Sequence, residues 1–411
     1  MYQGVNDDCR SLINNIGGKV LMSMKKTMSL VMTTVVALSI ISGCGSKGAS
    51  GDGSSGNTIK IATQSPLSGS SATLGEAIKL GAQLAIEDNK GKFEKKGFKL
   101  ELVAYDDLGD PKKGVANAQN IGSDKSILGV VGHLNSGVTI PSSETYEKYN
   151  IAMVSPASTA TDVTDRGLKV ANRVVARDDF QGPAGAQYAV NTLKAKNIFI
   201  IQDKTAYGSG LADAFKGEAE KLGAKIVGNE GITVGEKDFN GVLNQVISKK
   251  PDLIYFGGLY AEGGLLVKQA REKGFDGPFM GGDGLDSSAF VDIAGDAVKN
   301  TYLTSVAGDA ARSLTGKRFV NDYEKQFKKK VESYSAYGYD SAAVLLKAIS
   351  DAINSNGGKK PTREQVRDAV RQIDHYQGVV TQVGFDEKGD NKYASIFIYK
   401  FNEPSYPAVL Q

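Results

Sequence analysis

Residues 126–158 read SILGVVGHLNSGVTIPSSETYEKYNIAMVSPAS. A short apolar run (126–133) is followed by a helical stretch (136–149) and a second apolar run (151–158). Short apolar runs bounded by turn residues read as strands, and longer amphipathic stretches as helices. Two strands joined through a helix lie parallel, because a parallel pair needs a crossover that returns the chain to the same end of the sheet.

The alternation extends in both directions. Upstream, TIKIAT (58–63) is a strand, and TLGEAIKLGAQLAIEDN (73–89) places Leu74, Ala77, Ile78, Gly81, Leu84 and Ala85 on one helical face. FKLELVAYDD (98–107) is the next strand, and Asp110-Pro111 supplies an N-cap and a first-turn proline for a helix over 111–123. A second series begins near Phe180. Its helices are expected at 182–193, 208–223, 239–250 and 263–274, and its strands at 196–203, 225–232, 252–258 and 277–284. Helices at 313–330 and 339–353 and a β-rich tail follow. The predicted fold class is α/β, with two doubly wound, Rossmann-like lobes.

Composition narrows the function. The 411 residues are 41% hydrophobic and 23% charged, with 49 glycines that suit many tight strand–helix connections. A net charge of +3 without a long basic run argues against nucleic-acid binding. Cys9 and Cys44 cannot build a disulfide framework, and His133 and His375 are too far apart to form a metal motif. Neither a metal nor a cofactor is expected.

The amino terminus carries its own pattern. Met24-Lys25-Lys26 is followed by an apolar stretch from Thr27 to Ile41, too short for a comfortable membrane span, and then by Ser42-Gly43-Cys44. The order Ile41-Ser42-Gly43-Cys44 resembles the bacterial lipoprotein box, in which the cysteine is lipidated and becomes the first residue after cleavage. Residues 1–43 are expected to be a signal peptide with a doubtful upstream start, since residues 1–23 fit no part of a signal and Met22 or Met24 is a more natural beginning. Residues 44–57, rich in Gly and Ser, read as a lipidated Cys44 and a flexible tether. A plain secretory signal with an incidental cysteine is the alternative. Residues 1–43 hold four of the 49 Lys/Arg and two of the 46 Asp/Glu, which leaves 45 against 44 in the mature chain.

Ligands of open α/β sheets lie beyond the carboxyl ends of the strands. The loops there are GHLNSG (132–137), SPASTAT (155–161), QDKTAYGSG (202–210), GGLYAEGG (257–264) and GGDGLD (281–286). Ser136 opens a helix whose free N–H groups favour an anion. Ser158 and Thr159 add donors beside the Ala157 backbone, and together these suit a small carboxylate. Asp283 is placed to pair with an ammonium, with Tyr207 nearby. Taken singly, each of these residues reads more readily as a helix cap or turn former. Taken together, they describe an α-amino acid site between two lobes. His133 and the pair Asp106-Asp107 read as structural. No G-x-x-x-x-G-K-[ST], strand-linked G-x-G-x-x-G or G-x-S-x-G motif is present.

Several stretches carry a family resemblance: YDDLGDPKKGVANAQN (105–120), VGHLNSGVTIPSSETYEKYNIAMVSPASTATDVTDRG (131–167), DDFQGP (178–183), QDKTAYGSGLADAF (202–215), GITVGEKDFNGVL (231–243), YFGGLYAEGG (255–264) and FDEKGD (385–390). From about Ile59 to Asp390 the chain resembles the substrate-binding proteins of branched-chain amino acid ABC transporters, the leucine/isoleucine/valine-binding group of type I periplasmic binding proteins. The resemblance implies that Ser136, the Ala157 backbone, Ser158 and Thr159 hold the ligand carboxylate, that Asp283 binds the ammonium, and that Leu74, Tyr207 and Tyr260 shape the side-chain pocket. Leu74 and Leu259 stand where members of the family carry aromatics, and Leu108 and Asn135 where some carry a disulfide.

The resemblance further implies a three-strand hinge, with one lobe of 58–177 plus 307–390 and another of 178–306 plus 391–411. It implies no catalysis and ABC permease subunits with their ATPases as partners. Oligomeric state is not readable from the sequence, though a monomer suits a clamp that must dock. The lipoprotein-box reading attaches the protein to the membrane only through lipid, at a Gram-positive surface or a Gram-negative periplasmic face. A sensor of the same fold, binding an amide, urea-like or aromatic acid ligand, is the main alternative, and an exported enzyme is a third.

Overall fold

The computed structural model describes residues 57–411. The segment read as export signal and Cys44, the expected lipidation site, lie outside the described residues, as does the expected tether except for Asn57.

The first sheet contains β1 (Thr58–Ser65), β2 (Lys99–Asp106), β3 (Ile127–Gly132), β4 (Ala152–Ser155) and β5 (Ala171–Arg173) in the order β2-β1-β3-β4-β5, and every pairing is parallel. The second holds β6 (Asn197–Gln202), β7 (Lys225–Gly231), β8 (Leu253–Gly257), β9 (Phe279–Gly281) and β10 (Thr301–Ser305). Their order, β7-β6-β8-β9-β10, repeats that of the first sheet. A short ribbon of β11 (Tyr376–Gln377) and β12 (Gln382–Val383) precedes β13 (Phe397–Phe401) and β14 (Val409–Leu410), which extend the second sheet with antiparallel pairings beside β10.

The central strands are buried along their whole length, as helices on both faces require. Around the first sheet, α1 (Ala72–Glu94), α2 (Pro111–Ser123) and α3 (Ser136–Lys148) are the crossovers. Around the second are α4 (Asp178–Gln187), α5 (Ala206–Lys221), α6 (Asn240–Lys249), α7 (Tyr260–Glu272) and α8 (Ser288–Ala294). The later helices α9 (Leu314–Phe327), α10 (Ser335–Ser355) and α11 (Arg363–Arg371) return to the first sheet, where α10 packs on α1, β3 and β4. That packing is close: a Cβ on Gly81 of α1 would come within 1.9 Å of the Ser335 carbonyl oxygen.

Local signals account for the helix starts. Asp110 accepts the Lys113 N–H at 2.8 Å, with Pro111 in the first turn. The chain ahead of α11 forms a full capping box, in which Thr362 and Gln365 satisfy each other's N–H groups. The fourth helix begins at Asp178, four residues before its expected start, and continues as one π-helical turn (Tyr188–Thr192). Among the described residues, no helix is long and apolar enough to cross a membrane.

Candidate ligand site between the two sheets

The carboxyl ends of both sheets converge on a cavity of about 230 Å³. The first sheet contributes Ser70 and Ser71 after β1, Leu108 and Gly109 after β2, Asn135 and Ser136 after β3, and Ala157 after β4. The second contributes Asp203 and Tyr207 after β6, Leu259 after β8 and Asp283 after β9. Leu74 of α1 and Tyr334, just ahead of α10, complete the parts used below.

Asp283 is buried and begins a 3₁₀ turn. Its Oδ1 accepts from Gln181 Nε2 and from the Tyr207 hydroxyl, each at 2.7 Å, and its Oδ2 accepts from the Tyr334 hydroxyl. Tyr207 Oη in turn accepts the Gly284 N–H at 2.9 Å. The flanking glycines allow this approach. A Cβ on Gly282 would come 2.3 Å from Leu211, and one on Gly284 would come 2.5 Å from the Gly258 carbonyl oxygen. Burial raises the Asp283 carboxyl above its ordinary range, against the three donated hydrogen bonds. Gln181 and Tyr334 were not singled out from the sequence. They belong to a helix and to the segment ahead of α10, and neither stands at a strand end.

On the opposite wall, Ser136 is the first residue of α3, and its Oγ accepts the Ala160 N–H at 3.2 Å. Its own proton and the free N–H groups of the helix start remain available to an anion. Arg173, fully buried, holds the neighbouring loop in place. Its Nη1 donates to the carbonyls of Ser158 (3.0 Å) and Ala160 (2.8 Å), and its Nε to Asp390 at 2.6 Å. Burial pushes the Asp390 carboxyl upward, but Arg173 and Arg177 outweigh it and hold the group below the usual range.

Of the residues expected at the site, Leu74, Ser136, Ala157, Tyr207 and Asp283 line the cavity. Ser158, Thr159 and Tyr260 lie beside it instead. The Ser158 hydroxyl is committed to the His133 carbonyl (3.0 Å) and to Thr139 Oγ1 (2.6 Å). Thr159 accepts the Asp178 N–H through its carbonyl at 3.0 Å. Tyr260 Oη reaches across to accept the Thr73 N–H at 3.3 Å, so it joins α7 on the second sheet to α1 on the first. Asp178 sits behind this loop. Both its carboxylate oxygens are buried without a hydrogen-bond partner, and burial, with Asp283 nearby, pushes the group up to about 8.

His133 and the Asp106-Asp107 pair are structural. His133 Nδ1 faces Asp107 at 3.3 Å and Nε2 faces the Tyr146 hydroxyl at 3.3 Å, while Asp106 accepts the Leu67 and Leu108 N–H groups. Among the described residues, no group of three or more His, Cys, Asp or Glu side chains is placed to hold a metal ion.

Comparison with known proteins agrees with this architecture. Residues 58–403 match the periplasmic binding protein family. The chain is 36% identical over 347 residues to an amino acid binding protein of Pseudomonas aeruginosa, covering 84% of this chain and 90% of that protein. It is 34% identical over 351 residues to Leu/Ile/Val-binding protein homolog 1 of Brucella abortus, covering 85% and 92%. The crystal structure of a leucine binding protein from Thermotoga maritima superposes with a TM-score of 0.78 at 29% identity, covering 86% of this chain and 97% of that one. The chain therefore belongs to the periplasmic binding protein family, two-lobed extracytoplasmic solute-binding proteins rather than enzymes.

Proposed function

We propose that this protein captures a neutral, branched-chain-type amino acid in the cavity between its lobes and delivers it to an ABC permease. The observation that carries the reading is the pairing of opposite walls. A buried carboxylate, Asp283, stands on one side, and the start of α3 with Ser136 stands on the other. An α-amino acid presents an ammonium and a carboxylate to those two walls, and neither needs a proton transfer or a covalent step. Leu74, Leu108 and Leu259 offer apolar contact to a side chain. The relatives' names, amino acid binding and Leu/Ile/Val-binding, support the same class.

The lobes comprise residues 58–177 plus 307–390 and 178–306 plus 391–411. The chain passes between the sheets after β5, after β10 and before β13. These three passages act as the hinge about which ligand closes the lobes, and the permease recognises the closed form. Ser158 and Thr159 act on the carboxylate through the loop they build, and Tyr260 acts as a strap across the cleft. Cys44 carries a lipid that tethers a monomeric receptor to the outer face of the membrane.

The test is thermal stabilisation of residues 45–411, prepared without Cys44 and refolded from denaturant to strip bound ligand. Leucine, isoleucine, valine, the other amino acids, simple amides and aromatic acids are tried singly. A solute bound only by the folded state adds about 2.7 kcal/mol of stability at a hundredfold excess over its dissociation constant. Stabilisation by branched-chain amino acids supports the reading. Stabilisation by amides or aromatic acids alone refutes the head-group assignment.

A further inference from the structure

The chain enters the fold at a cluster of lysines. Asn57 and Thr58 lead into β1, at the end of the first sheet opposite the cavity. The Asn57 carbonyl accepts the Lys99 N–H at 3.1 Å, and the Thr58 carbonyl accepts from Lys360 Nζ at 2.6 Å. The Lys96 ammonium bonds Asn354 near the end of α10. Lys125 lies in the turn before β3, where the Ser126 carbonyl accepts the Lys60 N–H at 2.9 Å. Two acids at this end are already paired, Asp124 with Lys60 at 3.0 Å and Glu101 with Lys99 at 2.8 Å. Lys95, Lys125 and Lys359 are exposed and enter no ion pair among the described residues. Burial lowers the Lys360 ammonium, and Lys60 and Arg363 push it the same way against Asp124. Positive charge is thus crowded here in a mature chain whose charges nearly balance, at 45 against 44.

Charge alone does not single out a face. Lysines suit helix carboxyl ends, and the amino ends of the second sheet carry exposed ones too, among them Lys196, Lys225 and Lys249. The difference is the anchor. Cys44 lies 13 residues ahead of Asn57, and a Gly/Ser-rich coil of that length spans about 20 Å. A lipid on Cys44 therefore keeps the amino end of the first sheet within a few Debye lengths of the headgroups, where the contact is intramolecular and a few charges suffice.

We propose that this face, centred on Lys95, Lys125 and Lys359, rests on anionic phospholipid headgroups and holds the receptor with its cavity turned away from the bilayer, toward solvent. The inference rests on the lipidated Cys44 reading above. Each lysine near an anionic surface strengthens such a contact about fivefold, so three together give about a hundredfold. The footing is firm beside the tether yet reversible, as it must be if the receptor is to tip and present its cleft to a permease.

The experiment reconstitutes the lipidated chain in phosphatidylcholine vesicles with or without phosphatidylglycerol. A fluorophore on Ser355→Cys, at the exposed end of α10, reports by energy transfer to an acceptor in the bilayer, and the lipidated Cys44 does not label. Phosphatidylglycerol should raise the transfer, and salt at about 1 M, where the Debye length falls to about 3 Å, should abolish the rise. Changing Lys95, Lys125 and Lys359 together to Glu should also abolish it, whereas the same change at Lys196, Lys225 and Lys249 should leave it. Both triples alter only exposed side chains. Transfer that ignores phosphatidylglycerol, or that both triples reduce alike, overturns the footing and leaves the anchor standing. A chain that leaves plain phosphatidylcholine vesicles altogether carries no lipid, and overturns the Cys44 reading and the inference together.

Discussion

Replacing Asp283 by Asn separates binding from folding at this site. The side chain keeps its size, and its oxygen can still accept from Gln181 and Tyr207, while the new amide can donate to the Tyr334 hydroxyl, which accepts as well as donates. What is lost is the negative charge opposite the ligand ammonium. Removing one partner of a buried, hydrogen-bonded charge pair costs about 2–5 kcal/mol, so the dissociation constant should rise about thirtyfold or more. Stability of the ligand-free protein should move the other way. Burial raises the Asp283 carboxyl in the fold, and a raised carboxyl loses stability as the pH climbs from its unfolded value through its folded one. The variant should therefore unfold at an equal or higher temperature without ligand while binding far more weakly. Calorimetric titration with the best ligand, together with ligand-free melts at neutral pH, reads both quantities. A dissociation constant within threefold of the parent's removes Asp283 from the ammonium site, and a joint fall in affinity and stability shows that the side chain acts only through packing.

Arg173→Ala should cost about 3–5 kcal/mol of unfolding free energy, because it leaves Asp390 buried without one of its cations and frees the carbonyls of Ser158 and Ala160; urea denaturation showing a loss below about 1 kcal/mol would count against that role. Asp178, pushed up to about 8, contributes stability that is complete below about pH 4 and is lost as pH rises through about 8, and the Asp286 and Asp340 carboxyls, at about 7, act in the same direction. Ligand-free stability should thus fall from pH 5 to pH 8, and Asp178→Asn should flatten the decline; an unchanged slope in the variant contradicts the assignment. Tyr260→Phe removes the acceptor that meets the Thr73 N–H across the cleft, a bond worth about 0.5–1.5 kcal/mol, so ligand should leave up to about tenfold faster in stopped-flow displacement. An unaltered off-rate would leave Tyr260 as packing alone.

Much of the fold was readable in the chain because its signals are local. The apolar runs that became β3, β4, β6 and β8 are bounded by turn residues, and Asp110-Pro111 and Ser313 mark helix starts that the structure realises. The helix expected from Gly182 begins at Asp178 instead, where Asp178-Asp179 suit a first turn and lie just after the chain leaves the first sheet. The short β5 and the helix α11 were not anticipated, although the Thr362-x-x-Gln365 spacing is a capping-box signal that would have marked α11.

The sequence by itself determined the α/β class, the paired series of strands and helices, and the loops from which a ligand site must be built, since strand ends in such sheets are fixed by periodicity and turn chemistry. It could not determine which loop residues face inward. Ser158 and Ser136 are both hydroxyls at strand ends, yet one is spent on the His133 carbonyl and the other lines the cavity. Nor could it bring Gln181 and Tyr334 to Asp283, at separations of 102 and 51 residues, or set Arg173 beneath the 158–160 loop. The Gln181 and Arg173 placements come from packing within one lobe, of α4 against β10 and of β5 beside β4, and only that of Tyr334 from how the two sheets meet. A hydrogen bond between distant residues leaves no periodicity in the chain, so only the tertiary structure decides which polar groups are spent on the fold and which remain for a ligand.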